Sequence, residues 1–231
     1  MVTGFNELGH GSYNGFEHWS EKFETLYCAV KDPEDWGAAA REGARLALKS
    51  GTTSVAEIVT DDPARGAMSE SGLGGIEYLE VIGRTEIGWT DQVRQDVVRR
   101  LMEDFGSPRG VSPHAPYSLD GRVVQDLVAI ARANGMRIHS HVGESELEGA
   151  LYQSGVSVVL EIYGDLRDES ALVSVGGVGM STARYAGSVG LLGADVHLAN
   201  GIYLQREGRD FAKSYGDSGR AVPAVQSSYW S

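Results

Sequence analysis

Met136-Arg-Ile-His-Ser-His-Val-Gly-Glu144 is the stretch from which the fold is inferred. Ile138, Ser140 and Val142 alternate with His139 and His141, and this alternation predicts a β-strand. Because alternate side chains of a strand share a face, His139 and His141 point together and Glu144 follows just past the strand end. A histidine with a carboxylate three residues later at a strand-to-loop junction is suited to holding a metal and moving a proton. The alternative is a half-buried strand with two hydrogen-bonded histidines, and the spacing alone does not separate the two.

The composition is that of an ordinary globular protein, with 231 residues, 42% of them hydrophobic and 23% charged. A net charge of −12 disfavours binding to nucleic acid or to an anionic membrane. A single cysteine, Cys28, excludes an internal disulfide and argues against a cysteine-based zinc site. No apolar run is long enough to span a membrane, and the first residues lack the features of a signal peptide. We therefore predict a cytoplasmic chain.

Segments with strand character alternate with segments of helical periodicity, which predicts consecutive βαβ units and a parallel sheet. The predicted strands are 52–60, 76–82, 110–114, 136–142 and 195–200. Helices are predicted at 16–27, 32–48, 63–71, 89–105, 119–134, from 145 onward, at 182–192 and at 205–215, whereas periodicity does not resolve 155–180.

Polar residues cluster where these strands end. Catalytic groups at the carboxyl ends of successive strands are typical of a (β/α)8 barrel, although an open doubly wound sheet also binds ligands there. No glycine-rich phosphate loop follows the first strand, which argues against a dinucleotide site. Glu57, Asp61 and Glu80 are candidate pocket carboxylates, and the alternative for each is a hydrogen-bonded loop residue. The strand-end residues are Glu57, Asp61, Glu80, His114, His141, Glu144 and Asn200.

Two motifs carry a family resemblance. Val111-Ser-Pro-His-Ala-Pro-Tyr-Ser118, followed by Arg137-Ile-His-Ser-His-Val-Gly-Glu-Ser145, resembles the amidohydrolase superfamily and, within it, the nucleoside and heterocycle deaminases. Three further segments, 9–19, 51–56 and 195–203, are similar to the aminodeoxyfutalosine deaminase branch. The resemblance runs from about Thr3 to Gly216.

The resemblance implies a metal-dependent (β/α)8 barrel that uses zinc or iron and deaminates a 6-aminopurine nucleoside. His141 matches a metal ligand of the family, and Glu144 matches the carboxylate that carries a proton to the ring nitrogen. His114 matches a histidine that contacts the substrate, and Asn200 stands at the strand end where the family has a histidine that assists the water. His139 is expected to be a hydrogen-bonded residue of the barrel. The implied partner is a small nucleoside, with no nucleic acid or membrane, and an oligomer is compatible with the family.

The chain also departs from the family pattern. The family's first His-x-His pair precedes the point where this sequence begins, and neither His10 nor His18 replaces it by position. The aspartate of the family's last strand has no counterpart, so we expect residues 1–216 to form an incomplete barrel with about five of eight βα units. The tail 217–231 has no strand or helix period, and one permitted set of codons for it, read one base later, gives a peptide that resembles the family's seventh strand. We therefore hypothesise a reading-frame slip near Gly216.

Three states of activity follow as alternatives. A catalytic zinc takes about three protein ligands, and only His141 of the family's set is present, so we expect little bound metal and no measurable deamination. The second alternative is a non-catalytic remnant that binds a nucleoside or a protein partner. The third is an active barrel completed by another chain.

Overall fold

Five strands and the helices between them make up the structured part of the chain. The computed structural model describes residues 12–30, 32–163 and 165–215. The strands are β1 Ser54–Val59, β2 Gly74–Val81, β3 Arg109–Pro113, β4 Arg137–Val142 and β5 Val196–Asn200. The helices are α1 Phe16–Ala29, α2 Glu34–Lys49, α3 Ala67–Ser71, α4 Asp91–Met102, α5 Gly121–Ala133, α6 Glu146–Ser154, α7 Asp165–Glu169, α8 Ala171–Ser174, α9 Thr182–Ser188 and α10 Arg206–Ser214, with 3-10 turns at Asp62–Ala64 and Val158–Tyr163.

The strands form one sheet in the order β1-β2-β3-β4-β5, the same as their order in the chain. β1 runs parallel to β2, with Glu57 opposite Glu77, and β4 runs parallel to β5, with His141 opposite Ala199. Helices intervene between consecutive strands, as parallel pairing requires. This arrangement confirms the predicted α/β class, a partial barrel built from successive βα units.

Among the described residues, the first of two compact units comprises 12–30, 32–80 and 101–110. Its core includes Val59, Tyr78 and Leu101, each at most 2% exposed. Aromatic rings join α1 to α2, since Trp19 stacks on Phe23 and the ring of Tyr27 lies 5.1 Å from that of Trp36. Full burial of side chains such as Val59 and Leu101 contributes about 1.5–3 kcal/mol each, so this core stabilises the unit.

The second unit comprises 81–100, 111–163 and 165–215 of the described chain. The inner face of α5 carries Val123, Val124 and Leu127, which have no exposed surface, at the spacing predicted for an amphipathic helix. β4 contributes Ile138, which is also fully buried. Because β4 is anchored by this packing, the residues at its carboxyl end have a defined position.

Asp120 connects two loops of the second unit. Its carboxylate is 5% exposed and accepts hydrogen bonds from the amides of Glu86, at 2.8 Å, and of Ala171, at 3.1 Å. The two amides belong to the loop after β2 and to the first turn of α8. One buried carboxylate therefore joins segments that lie far apart in the sequence.

Asp120→Ala is expected to lower the free energy of unfolding by about 1–3 kcal/mol, because it leaves two part-buried amides without their acceptor. Urea unfolding followed by circular dichroism measures this loss. Asp168→Ala is the matched control, since its side chain is 71% exposed and forms an ion pair with the neighbouring Arg167. We expect a change below about 0.5 kcal/mol in the control, and equal losses in the two variants would contradict the prediction.

Within the described residues no helix is long and apolar enough to cross a membrane. Three of the predictions concern residues outside the described ranges: the exclusion of His10 as a ligand, the tail 217–231 and the frame slip near Gly216.

Candidate active site

The carboxyl ends of β3, β4 and β5 bring together the polar residues of the second unit. The amide of His141 donates to the carbonyl of His114 at 2.8 Å, which sets the position of β4 against β3. Asn200 pairs with Val142 in the β4–β5 register, and the amide of Gly201 donates to the carbonyl of Val142 at 2.8 Å. His114, His141 and Asn200 therefore lie at one edge of the sheet, as parallel strands require.

His114 is oriented by a serine. Its Nδ1 lies 2.7 Å from Ser118 Oγ, and Ser118 Oγ itself donates to the carbonyl of Ala115 at 3.1 Å. Because the hydroxyl proton is committed to that carbonyl, Nδ1 of His114 carries the donated proton and Nε2 keeps its lone pair. Burial, followed by the neighbouring imidazoles of His141 and His139, holds the pKa of His114 well below its ordinary value of 6.5. His114 is thus a neutral imidazole with an accepting Nε2.

His141 has the opposite arrangement. The ring of His141 lies 5.1 Å from that of His114, and its Nδ1 lies 3.2 Å from Asn200 Nδ2. An amide nitrogen can only donate, so Nδ1 of His141 accepts in this contact and Nε2 carries a ring proton. The two histidines consequently present one acceptor and one donor nitrogen.

Asn200 holds this position in an unusual backbone conformation. Its φ of 69° makes it the only non-glycine residue with a positive φ in the described part of the chain. Asparagine tolerates the left-handed region better than most residues, because its short side chain hydrogen-bonds locally. Asn200 is 9% exposed, so its carboxamide stays against His141.

His114 and His141 have ring nitrogens close enough to share the divalent metal that the family implies, but the contact of His141 with Asn200 opposes this. A histidine that ligates a metal donates its other ring N–H to a carboxylate, a carbonyl or water. Here Nδ1 of His141 faces a donor, and the proton is on Nε2, the nitrogen that would have to bind the metal. Asn200 would have to turn its carboxamide before His141 could act as a ligand.

Glu144 follows β4 and is held by a buried phenol. Tyr117 Oη donates to Glu144 Oε2 at 2.7 Å, and Tyr117 is 3% exposed. Burial, reinforced by the charge of Glu144, raises the pKa of Tyr117 well above 10, so that it remains a donor. The ring of Tyr117 meets that of His114 edge to face at 5.9 Å. One phenol thus connects the candidate proton carrier to the candidate substrate-binding histidine.

The four predicted site residues, His114, His141, Glu144 and Asn200, all belong to the second unit. His141 contacts His114 and Asn200, and Tyr117 links Glu144 to His114. His139 shares the strand face of His141, with ring centroids 5.5 Å apart, and is 6% exposed. This placement agrees with the predicted strand face and with a structural role for His139.

The remaining candidate carboxylates lie in the first unit and have local partners. Glu80 accepts from Thr60 Oγ1 at 2.6 Å, and Asp61 accepts from Tyr27 Oη at 2.8 Å. Glu57 lies opposite Glu77, and burial, followed by the charge of Glu77, raises its pKa.

Sequence reasoning assigned no role to Tyr117 or to Glu148, both of which contact Glu144. Tyr117 is the last residue of the Pro-His-Ala-Pro-Tyr motif, and the motif itself was the signal that could have identified it. Glu148 stands three residues after Ser145, the spacing of a helix capping box, and that spacing was the available signal.

Imidazoles, a carboxylate and an amide lie at the ends of successive strands, where the functional groups of (β/α)8 barrels are found. The amidohydrolase family model matches residues 5–214, and the chain belongs to this family. This match confirms the predicted superfamily.

Three relatives illustrate the similarity. The 5-methylthioadenosine/S-adenosylhomocysteine deaminase of Clostridium tetani is 22% identical over 176 residues, which is 74% of this chain and 35% of the relative. The structure of Helicobacter pylori aminofutalosine deaminase in complex with methylthio-coformycin has a TM-score of 0.69 and 19% identity, covering 90% of this chain and 51% of that one. An adenosine deaminase from Xanthomonas campestris with bound zinc has a TM-score of 0.64 and 19% identity, covering 90% and 44%.

At these identities the structural likeness concerns the fold. The chain spans about half the length of the solved structures and about a third of the curated relative.

Proposed function

We propose that the chain belongs functionally with the hydrolases of carbon–nitrogen bonds, and that its site accepts a 6-aminopurine nucleoside such as aminodeoxyfutalosine for hydrolytic deamination. The observation that carries the proposal is the carboxylate of Glu144, held by Tyr117 at the strand edge that also presents His114 and His141. The names of the relatives support the substrate class, since they include deaminases of adenine nucleosides.

The roles follow from the chemistry of these groups. In the deamination, water replaces the amino group at the purine ring carbon and ammonia leaves. Glu144 takes one proton from the water and delivers it to the adjacent ring nitrogen, and the second proton of the water goes to the departing amino group. His114 accepts a hydrogen bond from the nucleoside through Nε2, and Asn200 contributes its carboxamide to the same pocket. The divalent metal of the family, zinc or iron, supplies the activation of the water when it is bound.

We further propose that the present chain binds such a nucleoside without measurable turnover. The orientation of His141 toward Asn200 supports this, since it leaves the metal-binding nitrogen protonated. Asn200 also lacks a proton that it can exchange near neutral pH, unlike the histidine that the family has at this strand end. The donor and acceptor nitrogens of the two histidines suit hydrogen bonding to a heterocycle.

The test combines binding with turnover. The purified chain is titrated by calorimetry with methylthio-coformycin, adenosine and methylthioadenosine, and ammonia release is assayed with and without added zinc or ferrous iron. We expect micromolar to millimolar binding, on the order of 4–8 kcal/mol, and no release of ammonia. His114→Ala is expected to weaken binding, whereas Asp168→Ala, on the exposed surface, leaves it unchanged.

Two outcomes would contradict the proposals separately. Failure of every nucleoside to bind would contradict the site assignment. Ammonia release that Glu144→Gln lowers by a factor of about 10²–10⁴ would support the site and contradict the absence of turnover.

A further inference from the structure

Glu148 is a carboxyl group with no exposed surface that the proposed reaction does not use. Its Oε2 accepts from two successive backbone amides, that of Gly143 at 2.8 Å and that of Glu144 at 3.0 Å. Its Oε1 accepts from Tyr152 Oη at 3.0 Å. Three donors around one buried carboxyl offset much of the free energy needed to remove it from water.

Glu148 is the third residue of α6, the position of the acidic residue in a capping box, but it accepts from different amides than that motif does. Ser145 is the residue before α6, and its side chain accepts from the amide of Leu147 at 3.2 Å. In a capping box, the third helical residue returns a bond to the amide of the capping residue. Glu148 instead reaches one and two residues further back, to Glu144 and Gly143, so it holds the segment that leaves β4.

That segment has little freedom of its own. Gly143 has a φ of +71°, and a Cβ atom there would lie 2.9 Å from Leu204 Cγ. The carbonyl of Gly143 accepts from the amide of Tyr203 at 2.9 Å. The backbone next to Glu144 is therefore held by Glu148 on one side and by the segment after β5 on the other.

Glu144 is thus fixed twice, by different buried groups. Tyr117 holds its side chain, and Glu148 holds its backbone amide. Tyr152, which supports Glu148, has no exposed surface and stacks on Tyr185 with ring centroids 4.3 Å apart. The stack ties Glu148 to the core through α6 and α9.

We propose that Glu148 is a positioning residue that aims the Glu144 carboxylate at the bound nucleoside by clamping the Gly143–Glu144 backbone. This inference rests on the proposed function and adds a residue outside the substrate pocket to it. An ordinary cap of α6 would stabilise the helix without affecting the ligand, and the two roles are separable by substitution.

Glu148→Leu removes the acceptor, Glu148→Gln retains it, and Ser145→Ala is the matched control that removes a cap bond of the same helix. A Gln carbonyl still accepts from both amides, while its amide nitrogen donates to Tyr152 Oη. Hydrogen exchange of the Gly143 and Glu144 amides, measured by NMR, reports the clamp without any ligand. Methylthio-coformycin affinity, measured by calorimetry, reports its consequence.

We expect Glu148→Leu to accelerate exchange of the two amides at least about tenfold and to weaken methylthio-coformycin binding about tenfold. Glu148→Gln restores most of both, and Ser145→Ala changes neither. In a Glu144→Ala background, Glu148→Leu should have no further effect on affinity, because the group it positions is gone. Should Glu148→Leu fail to fold, Glu148→Asp, which withdraws the carboxylate by one methylene, serves in its place.

Wild-type affinity in Glu148→Leu, or an equal loss in Ser145→Ala, would overturn the positioning role. If the wild-type chain binds no nucleoside, the proposed function fails by itself. Amide exchange then decides the clamp, and unchanged exchange in Glu148→Leu overturns it.

Discussion

Asn200→Asp is expected to raise the affinity of the chain for zinc by about ten- to a hundredfold. In the wild-type chain the carboxamide nitrogen faces His141 Nδ1, which keeps the ring proton on Nε2. A carboxylate at the same place can only accept, so the proton moves to Nδ1 and Nε2 becomes available as a ligand. Aspartate also tolerates the left-handed backbone of this position, where φ is 69°. Competition with a chromophoric chelator measures the affinity, and elemental analysis gives the zinc content.

The control for this substitution is Asn200→Asp combined with His141→Gln. Without the imidazole, the added carboxylate should give no more than a small gain, which separates ligand formation by His141 from the effect of an extra negative charge. Equal zinc affinities in the wild-type chain and in Asn200→Asp would show that the tautomer of His141 does not limit metal binding. Tight zinc in the wild-type chain would contradict the orientation of Asn200 described above.

The second large effect concerns stability against pH. Burial raises the pKa of Glu148 from its ordinary value of 4.5 to about 8. Between these two values the unfolded chain has released this proton and the folded chain keeps it, so the folded state binds more protons. The contribution of Glu148 to the free energy of unfolding therefore falls as the pH rises through this window, by up to about 1.4 kcal/mol per pH unit. It is fully present below pH 4.5 and is lost above pH 8.

Glu148→Gln is the comparison that isolates this group, because the two chains differ in this one titratable side chain. Urea unfolding of both chains at several pH values between 5 and 8 gives the difference. The stability of the wild-type chain relative to Glu148→Gln is expected to decrease steadily across the series. A constant difference would show that Glu148 is ionised throughout, held as an anion by its three donors.

Local sequence patterns predicted the regular elements well, with particular failures. The predicted strands 110–114 and 136–142 agree closely with β3 and β4, because alternation and β-branched content are local properties. The single helix predicted at 63–71 is instead a 3-10 turn and the short helix α3, separated at Gly66, whose φ is 80°. Hydrophobic periodicity did not assign a structure to 155–180. In the structure this region contains a 3-10 turn and two short helices, which are too short to show a period.

The family motif identified His114, His141, Glu144 and Asn200 as candidates, and the positions of their strands follow from the sequence. The side chains that these candidates contact do not follow from the sequence. Tyr117 and Glu144 are 27 residues apart, and Asn200 and His141 are 59 apart, so neither contact leaves a local period. The capping-box spacing of Ser145 and Glu148 is a local pattern, but it would direct Glu148 to the amide of Ser145 and not to those of Gly143 and Glu144.

The sequence by itself determined the alternation of strands and helices, the family, and which polar side chains stand at the strand ends, because these depend on hydrophobic period and short motifs. Only the tertiary structure decided what those side chains do to one another. The β4–β5 register brings the Asn200 amide against His141 and so sets its proton, and packing of Tyr152 on Tyr185 brings Glu148 to the backbone of Glu144. The stretch His139–Glu144 supplies the candidate groups, and the residues packed around it determine their hydrogen bonds and orientation.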